Sequence, residues 1–122
     1  MITHNFVKKW CEELINAWKG CDIPKIIEIF SETRTYFEDP FSVPGRNHDE
    51  IRTFWEEIDQ QDIQTLTMTP IAIEQNRAIV RWYLDYLDVN TKEHYVMDGI
   101  YQVDFDENSK CINFVQWWVM KE

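Results

Sequence analysis

The hydrophobic pattern of this chain changes period once, after Gln61, and that change restricts the folds open to it. Before it, apolar residues recur every three or four positions. Phe6, Trp10, Leu14, Ala17 and Trp18 form one helical stripe, and Ile23, Ile26, Ile27 and Phe30 form another. Gly20 ends the first helix, and Asp22 caps a shorter second one that tolerates Pro24 in its first turn. A third helix carries Ile51, Phe54, Trp55 and Ile58 on one face, and Asn47 followed by Glu50 opens it with capping-box spacing. After Gln61, strand-like segments run from Ile63 to Glu74, Ala78 to Val89, Glu93 to Phe105 and Cys111 to Met120. Their polar connections are short, so neighbours pair antiparallel, and Pro70 demands an edge strand or a bulge. A further short strand, Thr33 to Phe37, precedes the third helix. The expected architecture is α+β: one domain over residues 1–122, with N-terminal helices packed on one face of a strongly curved antiparallel sheet.

Composition narrows the partners. With 22 acidic against 12 basic residues, the net charge of −10 repels nucleic acid and anionic membrane surfaces. No apolar run reaches the length of a membrane span, and Met1 to Trp10 lacks a signal-peptide core, so a cytoplasmic protein is expected. Cys11, Cys21 and Cys111 are an odd set without metal-ligand spacing and read as reduced, buried thiols. His4, His48 and His94 are scattered, so neither a metal nor a cofactor is expected.

The last strand is apolar on both faces, with Ile112, Phe114, Trp118 and Met120 on one and Val115, Trp117 and Val119 on the other. Helices cover one face only. The face with Trp117 is therefore expected to meet a partner, in the first instance a second copy of the chain.

The run Tyr36-Phe37-Glu38-Asp39-Pro40-Phe41 places acids among aromatics at a strand end, where a carboxyl facing a dry pocket shuttles protons. This run, the Gly45–Trp55 helix entry, and the closing Asp98-Gly99-Ile100-Tyr101 and Trp117-Trp118 hairpin together resemble the nuclear transport factor 2-like superfamily. The likeness is greatest to its SnoaL-like and ketosteroid-isomerase-like branches and covers nearly the whole chain. It implies a cystatin-like cone with a central apolar cavity for a small-molecule ligand, usually dimeric through the sheet. It does not imply one activity, since the fold hosts isomerases, cyclases, dehydratases and non-catalytic members.

Carried onto this chain, the resemblance makes Asp39 the general base, with the enolate oxygen met by a donor. No Tyr lies in the first helix to supply one such donor, and the position of the other falls on Tyr101. Asp98 becomes a further candidate if a bulge at Gly99 turns it to the Tyr101 side. Gln116 is the nearest polar residue on the last strand to the acid that SnoaL-like cyclases use, but an amide is no base. Trp55, Phe114, Trp118, Gln116 and Tyr83 are the expected ligand-lining residues. Two functions follow: a cofactor-free acid–base enzyme, or a non-catalytic dimeric ligand-binding or interaction module.

Overall fold

The computed structural model describes residues 2–121. Helix α1 (His4–Lys19) is capped by the Thr3 side chain, which accepts from the Phe6 N–H, and buries Val7, Trp10, Cys11, Leu14, Ala17 and Trp18. Gly20 stays right-handed, and the chain reverses instead through Cys21 at φ 52°. That residue is exposed, unlike the buried Cys11 and Cys111, whose thiols burial pushes up to about 12. Asp22 caps α2 (Ile23–Ile29) as expected. Asn47 caps α3 (His48–Trp55), while Glu50 reaches one residue further back, to the Arg46 N–H. Ile58 falls outside this helix, as the buried residue of a 3-10 turn over Ile58–Gln60.

Five strands follow the order β1-β5-β4-β3-β2. Strands β2 (Gln61–Glu74), β3 (Arg77–Asp88), β4 (His94–Phe105) and β5 (Cys111–Met120) form the antiparallel meander read from the sequence. Pro70 lies on the edge strand β2 beside a register shift. The expectation of a wholly antiparallel sheet needs correction. Strand β1 (Thr35–Phe37) pairs parallel with β5, setting Tyr36 against Phe114 and Phe37 against Val115. The sheet is therefore mixed.

Period-two alternation sorts the two faces. Ala78, Val80, Trp82 and Leu84 of β3, Tyr101, Val103 and Phe105 of β4, and Phe114 of β5 are buried under the helices. Rings lock this core by edge and stacked contacts: Phe30 meets Tyr36 at 5.1 Å and Phe114 at 5.1 Å, and Trp10 meets Phe30 at 5.9 Å. Such pairs contribute about 0.5–1.5 kcal/mol each beyond the area they bury.

Gly99 sits where β4 passes beneath the Trp82 indole. A Cβ there would lie 2.1 Å from the Trp117 carbonyl oxygen and 2.6 Å from Trp82 Nε1. Glycine-to-alanine in a strand is ordinarily stabilising, because it restricts the unfolded chain. Here overpacking reverses the sign, and Gly99→Ala is expected to destabilise the protein by about 1–3 kcal/mol in urea unfolding. A more stable variant would refute the close packing of Trp82 on this strand.

Candidate functional site

Alternation along β1 carries Tyr36 inward, Phe37 outward and Glu38, just past the strand, inward again. The parallel register continues Tyr36–Phe114 and Phe37–Val115 toward Glu38 beside Gln116. The Gln116 amide donates to the Glu38 carboxylate, and Trp118 Nε1 donates to the Glu38 backbone carbonyl at 3.1 Å. Burial, reinforced by the neighbouring Asp39 charge and opposed by the Gln116 hydrogen bond, pushes the Glu38 carboxyl up to about 7. Near neutral pH this side chain is divided between acid and base.

Glu38 lines a partly open pocket of about 140 Å³ bounded by α1, α3 and the inner sheet face. Trp18, Trp55 and Trp82 wall it, with Ile58, Leu84 and Met97 as aliphatic lining and Trp118 at its exposed side. Tyr36 and Tyr101 bring phenols into the same space, and both are 1% exposed. Burial raises both hydroxyls well above the ordinary phenol range, and the Glu38 charge raises them further. The carboxyl and both phenols thus line one pocket. Phe114 packs behind them, with ring centroids 4.8 Å from Tyr36 and 4.7 Å from Tyr101.

The polar atoms are unevenly satisfied. Trp18 Nε1 donates to Gln61 at 2.8 Å, but the buried Trp55 and Trp82 N–H groups have no partner among the described residues. The Trp55 N–H comes near enough to the Tyr36 oxygen to ease its ionisation. Buried donors of this kind normally find an acceptor. A wider depression of about 510 Å³ beside Arg34 and Arg46 is shallow, and its charged side chains are all exposed.

The residues picked from sequence divide between two sides of the sheet. Tyr101, Trp55, Gln116 and Trp118 line the inner pocket, and Phe114 lies behind its wall. Asp39 does not line it. Its carboxylate accepts from the Phe41 N–H at 2.8 Å, its carbonyl accepts from the Ser42 N–H, and it borders a groove on the outer side. Asp98 is also outside, paired with Arg81 at 2.7 Å, which holds its carboxyl below the usual range. The bulge that would have turned Asp98 inward is absent, because β4 keeps unbroken register through Asp98, Gly99, Ile100 and Tyr101. Tyr83, opposite Asp98, lies on that outer face too.

Glu38 is the pocket acid that the Asp39-Pro40 turn signature obscures in the sequence. The signal for it is parity: from the buried Tyr36, the next inward position is 38, not 39. Trp82 carries the same signal, two positions from the buried Val80 and Leu84.

No curated protein matches the chain in sequence. Its fold matches the crystal structure of an NTF2-like protein from Burkholderia thailandensis E264 with a TM-score of 0.68, over 97% of this chain and 92% of that one. At 13% identity, that likeness speaks for the fold alone. The sequence model of the SnoaL-like domain matches residues 11–113, from the middle of α1 to the start of β5. By that match the chain belongs to the SnoaL-like domain family, within the NTF2-like superfamily.

Proposed function

We propose that this protein binds a small apolar or aromatic molecule in the inner pocket and moves a proton on it without a cofactor, in the manner of an isomerase. Glu38 replaces Asp39 as the base. The observation that carries this reading is a carboxyl raised to about 7 in a pocket it shares with two buried phenols. The ionised Glu38 takes a proton from the carbon beside a substrate carbonyl. The C–H electron pair becomes a C=C bond, and the carbonyl oxygen takes the negative charge. Tyr101, assisted by Tyr36, donates a hydrogen bond to that oxygen. Glu38 then returns the proton to a different carbon, so the substrate is isomerised and the enzyme is restored.

A β,γ-unsaturated cyclohexenone tests this, because its conjugated isomer absorbs strongly in the ultraviolet. Glu38→Gln is expected to lower the rate about 10²–10⁴-fold, whereas Asp39→Asn leaves it near wild type. Loss of activity in the Asp39 variant with Glu38→Gln still active would overturn the assignment.

The carboxyl shift also sets a stability profile. In the unfolded chain Glu38 ionises near its ordinary value of 4.5, while in the fold it keeps its proton to about 7. The folded state binds more protons over that interval, so its stability falls as pH rises from 4.5 to 7 and levels off above. Glu38→Gln is expected to flatten this decline and to exceed wild type above pH 7 by up to about 3 kcal/mol. Urea unfolding across this range measures it, and parallel profiles for the two proteins would count against a buried carboxyl.

The second reading, a dimeric binding module, is favoured by the outer face. Phe41 is 99% exposed, and it shares an apolar groove with Ile100, Trp117 and Val119. A homodimer through this face is compatible with either activity. Trp117→Glu is expected to halve the mass seen by light scattering. An unchanged mass, or a monomeric wild type, would dismiss the interface.

A further inference from the structure

We infer that the Glu38 pocket is built for a neutral molecule with a single six-membered ring bearing a carbonyl-type oxygen, and that a second fused ring does not fit inside. The inference deepens the reading of this pocket as a ligand site and rests on it. Three features carry it: size, the surplus of donors, and charge.

The pocket volume is about 140 Å³. A cavity of roughly 150 Å³ is known to take up one benzene molecule. The walls leave little room to yield. Trp18 meets Trp55 edge-on at 4.9 Å and approaches Trp82 at 6.4 Å, while Trp82 stacks on Tyr101 at 5.3 Å. Widening the space means displacing rings that already pack on one another, and close-packed interiors resist that. A larger ligand must leave its excess beyond Trp118, on the exposed side.

Two indole donors of the pocket lack an acceptor, and two phenols share the space with them. The N–H groups of Trp55 and Trp82 have no hydrogen-bond partner among the described residues, the hydroxyls of Tyr36 and Tyr101 line the same space, and the Glu38 carboxylate already accepts from Gln116. The phenols meet a ligand first, since their hydroxyl hydrogens rotate freely, whereas the indole nitrogens have no accessible surface until a ring turns. A hydrocarbon ring would offer these donors no acceptor. A carbonyl oxygen, with two lone pairs, satisfies two of them. An anionic ligand would have to enter beside Glu38 in a chain of net charge −10, so the oxygen belongs to a neutral group.

Tryptophan fluorescence titration of the wild-type protein reads this directly with four probes: conjugated cyclohexenone, cyclohexene, tetralone and benzoate. Cyclohexenone is expected to bind best. Cyclohexene, which lacks the oxygen, and tetralone, which adds a fused ring, should each bind about tenfold more weakly or worse. Benzoate should weaken further as pH rises through 7. Truncating a wall residue, as Leu84→Ala or, should that variant fold poorly, Met97→Ala, is expected to bring tetralone up to the affinity of cyclohexenone.

Equal binding of tetralone and cyclohexenone by wild type would overturn the size limit, and equal binding of cyclohexene would overturn the role of the donors. These outcomes are separable from failure of the catalytic reading. Glu38→Gln should keep the ring-size order, so intact selectivity without turnover in wild type would remove the proton transfer and leave the pocket assignment standing. Failure of every single-ring probe to bind would remove the inference itself.

Discussion

The parallel pairing of the three-residue β1 with β5 is the contact on which the site depends. A strand this short has little hold of its own. It is fixed from three sides: by β5, by the mutual hydrogen bonds of Tyr36 with Gly45, and by the Tyr36 ring stacked between Phe54 at 5.3 Å and Phe114 at 4.8 Å. With Tyr36 clamped, the backbone has no freedom to send residue 38 anywhere but inward. Glu38 then reaches Gln116, and its carbonyl reaches the Trp118 indole. Without β1 the carboxyl would be solvated and would titrate like any surface acid.

This arrangement works against stability. Among the described residues Glu38 has no cation beside it, only the neutral Gln116 amide, and Asp39 adds a second negative charge nearby. Burying an acid under those terms favours its protonated form and makes ionisation costly to the fold. The unpaired indole N–H groups of Trp55 and Trp82 add to the expense. The aromatic core from Trp10 through Phe30 to Phe114 offsets it. Unfavourable polar groups gathered around one small space, held by an otherwise well-packed core, are what a ligand site requires and what a purely structural core avoids.

Local signals in the sequence carried most of the fold, and non-local ones were lost. The helical stripes, the Asp22 and Asn47 caps and the edge placement of Pro70 each rest on contacts within a few residues, which is why they could be read. The β1–β5 pairing joins residues 78 positions apart, Tyr36 to Phe114, and no local pattern announces whether such a pair is parallel. The choice between Glu38 and Asp39 failed for a related reason. Asp39-Pro40 is a turn signature, and Asp39 does what an Asp before a turn commonly does: it accepts from the N–H two residues on. Resemblance to a family motif drew attention to that acid. Parity from Tyr36 pointed to its neighbour.

Parity also explains why the outer face matters to the inner one. In β3 and β4 the side chains alternate, so a slip of one residue would carry Tyr101 out and Asp98 and Ile100 in. Arg81–Asp98 and Arg77–Asp104, each at 2.7 Å across the outer face, oppose that slip, since inverting β4 would bury Asp98 and Asp104 away from their arginines. Exposed ion pairs contribute little to stability as such. Their value here lies in specificity: they make the wrong register expensive rather than the right one strong. Gly99 acts on the same strand from the inside, because only a residue without Cβ lets Trp82 lie against β4. Asp98 is therefore tied to the inner pocket without touching it, as an outer-face residue on the strand that carries Tyr101 inward.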